Sequence, residues 1–307
     1  MAGRKVNCVL GIDVGGTHLR AGLYDPRRHA LHCVQTAATE AAGGGNHALA
    51  RVAGLAHAVV EAGRTKGYGA TRVGIGIPEL VSTAGVIQSQ STLPWRAASV
   101  RAKLRRYGPV TIAADVMAAA RAEARLGAGR GHAVFLYVSV GTGISSCLVI
   151  AGQVYAGAHG HALCLASGAT HATPGSGGAI AYRSLEAEAA GPGILARARA
   201  LGCAATDVPA LLRAAGDGPG VAREVVDAAA AGLALHVAIL ANALDPGLIV
   251  LGGGLGCAPG RYGEAFRASL PHYTWGSHAQ RLKVRRALLG PRAGLFGAAL
   301  CAVEAKH

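Results

Sequence analysis

Leu10-Gly11-Ile12-Asp13-Val14-Gly15-Gly16-Thr17-His18-Leu19-Arg20-Ala21-Gly22-Leu23-Tyr24-Asp25 is the stretch on which the fold turns. An apolar run from Val6 to Ile12, interrupted at Asn7, ends in an acid and two glycines, and an alternating run from Leu19 to Tyr24 follows. The pattern predicts two antiparallel strands joined by a tight turn. Gly15 and Gly16 carry no Cβ, so main-chain N–H groups there can close on an anion, and Thr17 adds a hydroxyl donor. The Asp13 carboxylate would repel a phosphate held in that turn unless a cation stood between them, which implies Mg²⁺. An ordinary glycine hairpin fits the same residues, so the rest of the chain has to discriminate.

The chain has 307 residues, more than one typical domain and enough for two. Hydrophobic residues make up 51% and charged residues 15%, which allows a large core and speaks against disorder. No apolar run reads as membrane-spanning and no leader-like segment opens the chain, so a cytoplasmic protein without a membrane partner is expected. Seven scattered cysteines without a C-x-x-C pair suit a reducing compartment. The formal charge is +14, but the arginines are spread out and aromatics amount to only 4%. Without a stacking platform, no nucleic-acid partner is expected; the basic surface suits a nucleotide and a phosphorylated product.

Further along, His29 to Gln35 predicts a third strand, and Asn46 to Ala62 an amphipathic helix with Leu49, Val52, Ala56 and Val59 at helical spacing. A buried strand, Arg72 to Ile77, is closed by Pro78, and Val100 to Tyr107 reads as a basic helix. The strand from Pro109 ends at Asp115, ahead of an Ala-rich helix over Val116 to Gly127. An Asp at a helix start reads first as an N-cap. Ala133 to Val140 is an apolar strand running into Gly141-Thr142-Gly143, a second glycine hairpin. Helices are predicted over Ile194 to Leu201, Val208 to Ala214 and Val221 to Leu244, the last long, apolar and therefore buried. Asp245 to Gly256 gives a turn, a buried strand and the run Gly252-Gly253-Gly254, before a last strand (Leu282 to Leu289) and a closing helix (Ala293 to Ala305). No Walker A motif is present, and no G-x-G-x-x-G follows the first strand, which removes the P-loop and Rossmann readings.

Three of these segments resemble the nucleotide motifs of the ROK family of sugar kinases and repressors, within the actin-like ATPase superfamily. Gly11 to Asp25 fills every fixed position of G-I-D-x-G-G-T-x-x-x-x-G-x-x-D; Gly141-Thr142-Gly143 resembles the second phosphate motif; Asp245 to Gly254 resembles the adenosine motif D-P-x-x-I-V-L-G-G-G. Asp115 to Glu123 is similar to the family's N-D-A-N-A-A-A-x-x-E, whose Asp is the catalytic base. The resemblance implies an α/β two-domain actin-like ATPase (ribonuclease H-like) fold with an interdomain active-site cleft. The expected domains are 1–112 with 291–307, and 113–290. It implies ATP and Mg²⁺ as cofactors, Asp13 organising Mg²⁺ through water, and phosphate contacts from Gly15, Gly16, Thr17, Gly141, Thr142 and Gly143. Gly252, Gly253 and Gly254 would face the nucleoside. A homodimer is also expected.

The sugar-reading residues depart from the pattern. Ala114 stands where the family's Asn contacts a sugar hydroxyl, and Glu79 replaces the last glycine of G-I-G-x-P-G-x-V as either a solvated loop acid or a new substrate contact. Ser91 to Trp95 resembles the family's loop in which a Thr or Asn faces the sugar, which implies Thr92 as a substrate contact. Ungapped alignment of G-A-x-G-x-A-G-E-I-G-H puts Cys164 at the Glu and Ser167 at the His; a shifted register brings His161 to the His role. The zinc-knuckle cysteines are replaced by Thr173 to Ala179, so no structural zinc is expected; Leu185-Glu186 resembles the family's C-L-E-x-x-x-S-G, which implies Glu186 as the surviving substrate acid, an exposed helix glutamate being the other reading. The expected activity is ATP-dependent phosphoryl transfer to a hydroxyl, the primary one, of a sugar-like substrate with Asp115 as general base. Replacing groups that read ring hydroxyls changes the ligand a polar site accepts. The expectation is an aminosugar such as kanosamine, or a C7 cyclitol, as taken by ROK kinases of antibiotic pathways. An ordinary glucokinase and a non-catalytic sugar- or nucleotide-binding protein are the alternatives. A family repressor is disfavoured because the phosphate motif begins at Gly11.

Overall fold

The computed structural model describes residues 6–174, 180–277 and 281–305. The chain forms two compact units: Met1–Gly127 with Gln153–Ala162 and Pro291–His307, and Ala128–Gly152 with Leu163–Gly290.

The first unit is built on a five-stranded sheet in the order β3-β2-β1-β4-β5. Its strands are β1 (Val6–Val14), β2 (His18–Asp25), β3 (Ala30–Ala38), β4 (Tyr68–Ile77) and β5 (Val110–Ala114). The predicted hairpin is present: β1 and β2 pair antiparallel, while β1, β4 and β5 run parallel. Strand alternation gives the sheet two different faces. Leu10, Ile12, Leu23, Val73, Ile75 and Ile77 are fully buried in one core with Val52, Ala56 and Val59 of α1 (Gly45–Thr65). Between them, Gly11, Gly22, Gly74 and Gly76 leave the other face bare. There α10 (Ala293–Glu304) lies with its backbone directly on the sheet: a Cβ on Gly74 would stand 1.8 Å from the Ala298 carbonyl oxygen, and one on Gly11 2.8 Å from that of Leu295. The closing helix thus packs where the resemblance placed it.

The same close approach moves a boundary. Helix α3 (Asp115–Leu126) was expected to open the second domain, yet it belongs to the first unit, which runs on to Gly127. Small residues join α3 to α10: a Cβ on Gly297 would lie 1.8 Å from the Ala118 carbonyl. Around that seam Arg121 and Arg125 both bridge to Glu304 at 3.0 Å. The basic segment after residue 96 forms α2 (Ala97–Leu104) and a 3₁₀ turn, Arg105–Tyr107. The short β8 (Gln153–Val154) also falls in this unit.

In the second unit, β12 (Lys283–Arg286), β11 (Leu248–Gly252), β6 (Val134–Val140) and β7 (Ile144–Ile150) lie side by side in that order. The last strand is shorter than the sequence pattern predicted. A ribbon of β9 (Ala169–Pro174) and β10 (Ile180–Ser184) precedes α4 (Leu185–Ala189), α5 (Gly191–Ala200), α6 (Val208–Asp217) and α7 (Val221–Leu244). Residues 175–179 of the expected zinc-knuckle replacement lie outside the described residues. By length and apolarity α7 meets the criteria for a bilayer span, contrary to the sequence expectation; half of its most apolar window is buried in the unit. Val226, Ala230, Leu233, Ala234 and Val237 are fully buried with β6, β11 and α9, so α7 is read as a core helix. Helix α9 (Arg261–Tyr273) was not anticipated; Gly263 and Pro271 obscure its period. The glycine run after β11 turns into a five-residue helix, α8 (Gly253–Cys257).

Candidate active site

Three acids, Asp13, Glu79 and Asp115, lie at or just beyond the carboxyl ends of three parallel strands of the first unit, the edge where ligands bind in open α/β sheets. Asp13 is the next-to-last residue of β1, opposite Arg20 in β2 and Gly76 in β4. Its carboxylate is 3.6 Å from the Arg20 guanidinium. Burial pushes the Asp13 pKa up to about 6, with Arg20 pulling the other way. Asp115 opens α3 immediately beyond β5. It is not the helix cap: Ala114, 7% exposed, occupies that position with no side-chain bond to give. Instead Asp115 Oδ1 accepts the Val116 N–H at 2.6 Å. Burial first, then the charges of Asp13 and Glu79, raise Asp115 to about 7, against the hydrogen bond from Val116. Gly76 is its neighbour on β4: a Cβ there would lie 3.5 Å from the Asp115 Cα, an ordinary contact distance.

Beside Asp13, the Gly15–Thr17 turn is closed by the Gly15 N–H donating to the His18 carbonyl at 2.9 Å. Thr39, fully buried, holds the turn from behind through its hydroxyl, which donates to the Gly15 carbonyl at 2.6 Å, and its N–H, which donates to the Thr17 carbonyl. Sequence reading missed Thr39, and nothing local marks it. Thr92, exposed, is brought next to the turn: a Cβ on Gly16 would lie 3.9 Å from its methyl group.

Glu79 departs from both of its expected roles. It is 4% exposed rather than solvated, and its carboxylate already accepts five hydrogen bonds from Ser89, Ser91, Thr92 and Leu93. A substrate ammonium finds no vacant lone pair there. Burial works to raise its pKa, yet the hydroxyl and main-chain donors outweigh it and hold the group below the usual carboxylate range. His161, the candidate for the family's His role, pairs through Nε2 with Gln88 Oε1 at 2.6 Å.

A second constellation lies within the second unit. The Gly141–Gly143 hairpin is closed by the Gly141 N–H to the Gly143 carbonyl, and the Gly191 N–H at the start of α5 donates to the Gly141 carbonyl, both at 2.9 Å. Glu186 Oε2 accepts the Ile144 N–H at 2.9 Å and lies where a side chain on Gly143 would be, 2.7 Å from its Cβ position. The third motif meets the second, since a Cβ on Gly141 would come 3.7 Å from the Gly254 N. Gly252 and Gly253 are glycines for packing reasons: side chains there would strike the Tyr137 ring and the Val140 backbone, and Gly253 has φ +76°. Gly254 faces open space, Thr142 is exposed, and Cys164 and Ser167 lie on an exposed turn.

A divalent cation fits the first unit. Asp13 and Asp115 are carboxylates raised by burial, Asp115 also by the Asp13 charge, and a hard cation with oxygen ligands relieves that repulsion. For zinc, no three His, Cys, Asp or Glu side chains gather among the described residues; the His171 side chain lies outside them.

A model of the ROK family matches residues 9–305. The chain belongs to the ROK family. It is 35% identical over 193 residues to the bifunctional enzyme NanE/NanK of Brucella melitensis, covering 62% of this chain and 35% of that enzyme. It thus spans about a third of the curated relatives it matches first. The glucokinase of Streptomyces coelicolor is 28% identical over 96% of this ROK chain and 97% of its own. A ROK family glucokinase from Streptomyces griseus in complex with glucose and AMPPNP superposes with a TM-score of 0.82 over 97% of this chain and 100% of its own, at 24% identity. That likeness shows the actin-like ATPase fold.

Proposed function

We propose that this chain is a sugar kinase that transfers the γ-phosphoryl group of ATP to a hydroxyl of a sugar-like substrate. The observation that carries the reading is Asp115: a carboxylate beyond a parallel strand, held by one main-chain N–H, with a pKa of about 7. A base poised near the working pH is what proton removal from an attacking hydroxyl requires, and such a base contributes on the order of 10²- to 10⁴-fold in rate. Phosphoryl transfer otherwise needs alignment and charge neutralisation. The Gly15–Thr17 and Gly141–Gly143 hairpins supply main-chain donors for phosphates, and Gly254 an open surface for the nucleoside. Asp13 would hold Mg²⁺, which neutralises phosphate charge when bound. AMPPNP in the Streptomyces griseus relative supports a nucleoside triphosphate as donor.

For the acceptor, the reading is an aminosugar such as kanosamine, or a C7 cyclitol. Its support is the exchange of the family's Asn, Glu and His for Ala114, Cys164 and Ser167, with Glu186 as the retained acid. Glu79 no longer contributes to it, because its carboxylate is saturated. The test is ADP release across glucose, mannose, N-acetylated hexosamines, glucosamine, kanosamine and valiolone-type cyclitols. One amino or carbocyclic compound standing out supports the reading; preference for glucose leaves an ordinary glucokinase. ATP binding without turnover leaves a non-catalytic binder.

A further inference from the structure

We propose that Glu79 is a positioning residue for the phosphoryl acceptor: by gathering the Ser89–Leu93 segment onto its carboxylate, it fixes Thr92 beside Gly16 and leaves the main chain of Ser91 and Thr92 with only carbonyls to offer a ligand. The inference deepens the kinase reading and rests on it. Glu79 directly follows the carboxyl end of β4 and Pro78. The chain then runs out and back as a small hairpin, with the Gln88 N–H on the Leu80 carbonyl at 2.8 Å, the Ser82 N–H on the Val86 carbonyl at 2.9 Å, and a bridge between Val81 and Ile87. On its return the segment closes around the acid. Oε2 accepts the Ser89 hydroxyl, the Ser91 N–H at 3.0 Å and the Ser91 hydroxyl at 3.1 Å; Oε1 accepts the Thr92 and Leu93 N–H groups at 2.6 Å each. Three successive amides pointing at one anion form a nest, here filled from within the protein.

The consequence is chemical. With those three amides consumed, an anionic group of a ligand finds no main-chain donor between Ser91 and Leu93. The Leu93 carbonyl is taken by the Trp95 N–H, while those of Ser91 and Thr92 accept no hydrogen bond among the described residues. A ligand group meeting the main chain of Ser91 and Thr92 is therefore a donor, a hydroxyl or an ammonium. A glycine at 79, as in the motif this chain resembles, supplies no such anchor.

The test uses the full-length chain and combines hydrogen exchange at Ser91, Thr92 and Leu93 with steady-state kinetics on whichever acceptor the panel identifies. In Glu79→Gln an amide NH₂ faces donors, so those three amides are expected to lose protection. The acceptor KM should rise by roughly 10- to 100-fold, the loss expected for hydrogen bonds to a buried charge, with nucleotide KM little moved. Glu79→Asp, which keeps the charge but falls one methylene short, is expected to behave similarly, separating reach from charge. Ser89→Ala and Ser91→Ala remove hydroxyl donors one at a time and keep the test open should Glu79→Gln not fold; each should raise acceptor KM by less. Unchanged exchange and unchanged acceptor KM in Glu79→Gln would overturn the proposal, as would an equal rise in both KM values. A wild-type chain inert across the whole panel would instead sink the kinase reading.

Discussion

The Thr39 hydroxyl donates to the Gly15 carbonyl across 24 positions of sequence, and its N–H donates to the Thr17 carbonyl. Two carbonyls of the Gly15–Thr17 turn are thereby held by one buried residue, through its hydroxyl and its main-chain N–H. Thr39→Val keeps the shape and removes the donor, stranding a carbonyl at a cost of about 1–3 kcal/mol. Because the loosened turn has to be re-ordered on binding, nucleotide KM is expected to rise by up to roughly tenfold, about 1.4 kcal/mol, with Thr39→Ser close to wild type. Steady-state kinetics at saturating acceptor measure this; unchanged nucleotide KM in Thr39→Val would remove Thr39 from that role.

Asp115→Asn is expected to fold, to bind nucleotide and acceptor, and to lose about two to four orders of magnitude in kcat. With the carboxylate at about 7, activity of the wild type should fall as pH drops below that value, because the base must be ionised. Magnesium nearby would move the inflection down. A variant with near-wild-type kcat would exclude Asp115 as the base.

The same shift has a stability consequence. The folded Asp115 and Asp13 bind protons more tightly than the unfolded chain, with values of about 7 and 6 against 3.8. Between those limits the folded state holds more protons, so stability falls as pH rises. Their contribution is fully present below about pH 4 and lost through pH 6–7, the window set by that linkage. Asp115→Asn should therefore melt above wild type at pH 8 and level with it near pH 4. Melting curves without divalent cation, at both pH values, decide it; a variant less stable at pH 8 contradicts the assignment.

What could be read from the sequence was local. The β1–β2 hairpin with Asp13, the strand-to-helix step at Asp115 and the two glycine hairpins are continuous stretches whose patterns state their local structure. Thr39 and Glu79 were missed or misassigned because their partners lie 24 and 10 to 14 positions away, and a hydrogen bond leaves no trace in composition. The boundary was misplaced for a related reason. Ala118 and Gly297 mark a helix seam only when α3 and α10 are seen together, and small residues at helical spacing read as low-content sequence otherwise. The glycines of β1 and β4 were legible as motif but not as cause: at Gly11 and Gly74 the constraint is the backbone of α10.

That seam gives a paired prediction of opposite sign. Alanine in a helix interior is favoured over glycine by about 1 kcal/mol. At Gly54 of α1, which is exposed, an added Cβ meets nothing within 4 Å. Gly54→Ala should therefore stabilise by roughly 0.5–1 kcal/mol and leave activity unchanged. At Gly297 the same methyl would stand 1.8 Å from the Ala118 carbonyl, a main-chain atom that cannot rotate aside. Overpacking by a methyl costs about 1–3 kcal/mol, which exceeds the propensity gain, so Gly297→Ala should lower Tm. Ala118 lies one turn into the helix that Asp115 begins, so the displacement needed to relieve the clash moves the base as well. A fall in kcat is expected alongside the fall in Tm, with nucleotide KM less affected. Thermal melting and kinetics on both variants test it. A Gly297→Ala protein as stable and active as Gly54→Ala would mean that α10 does not hold α3 in place.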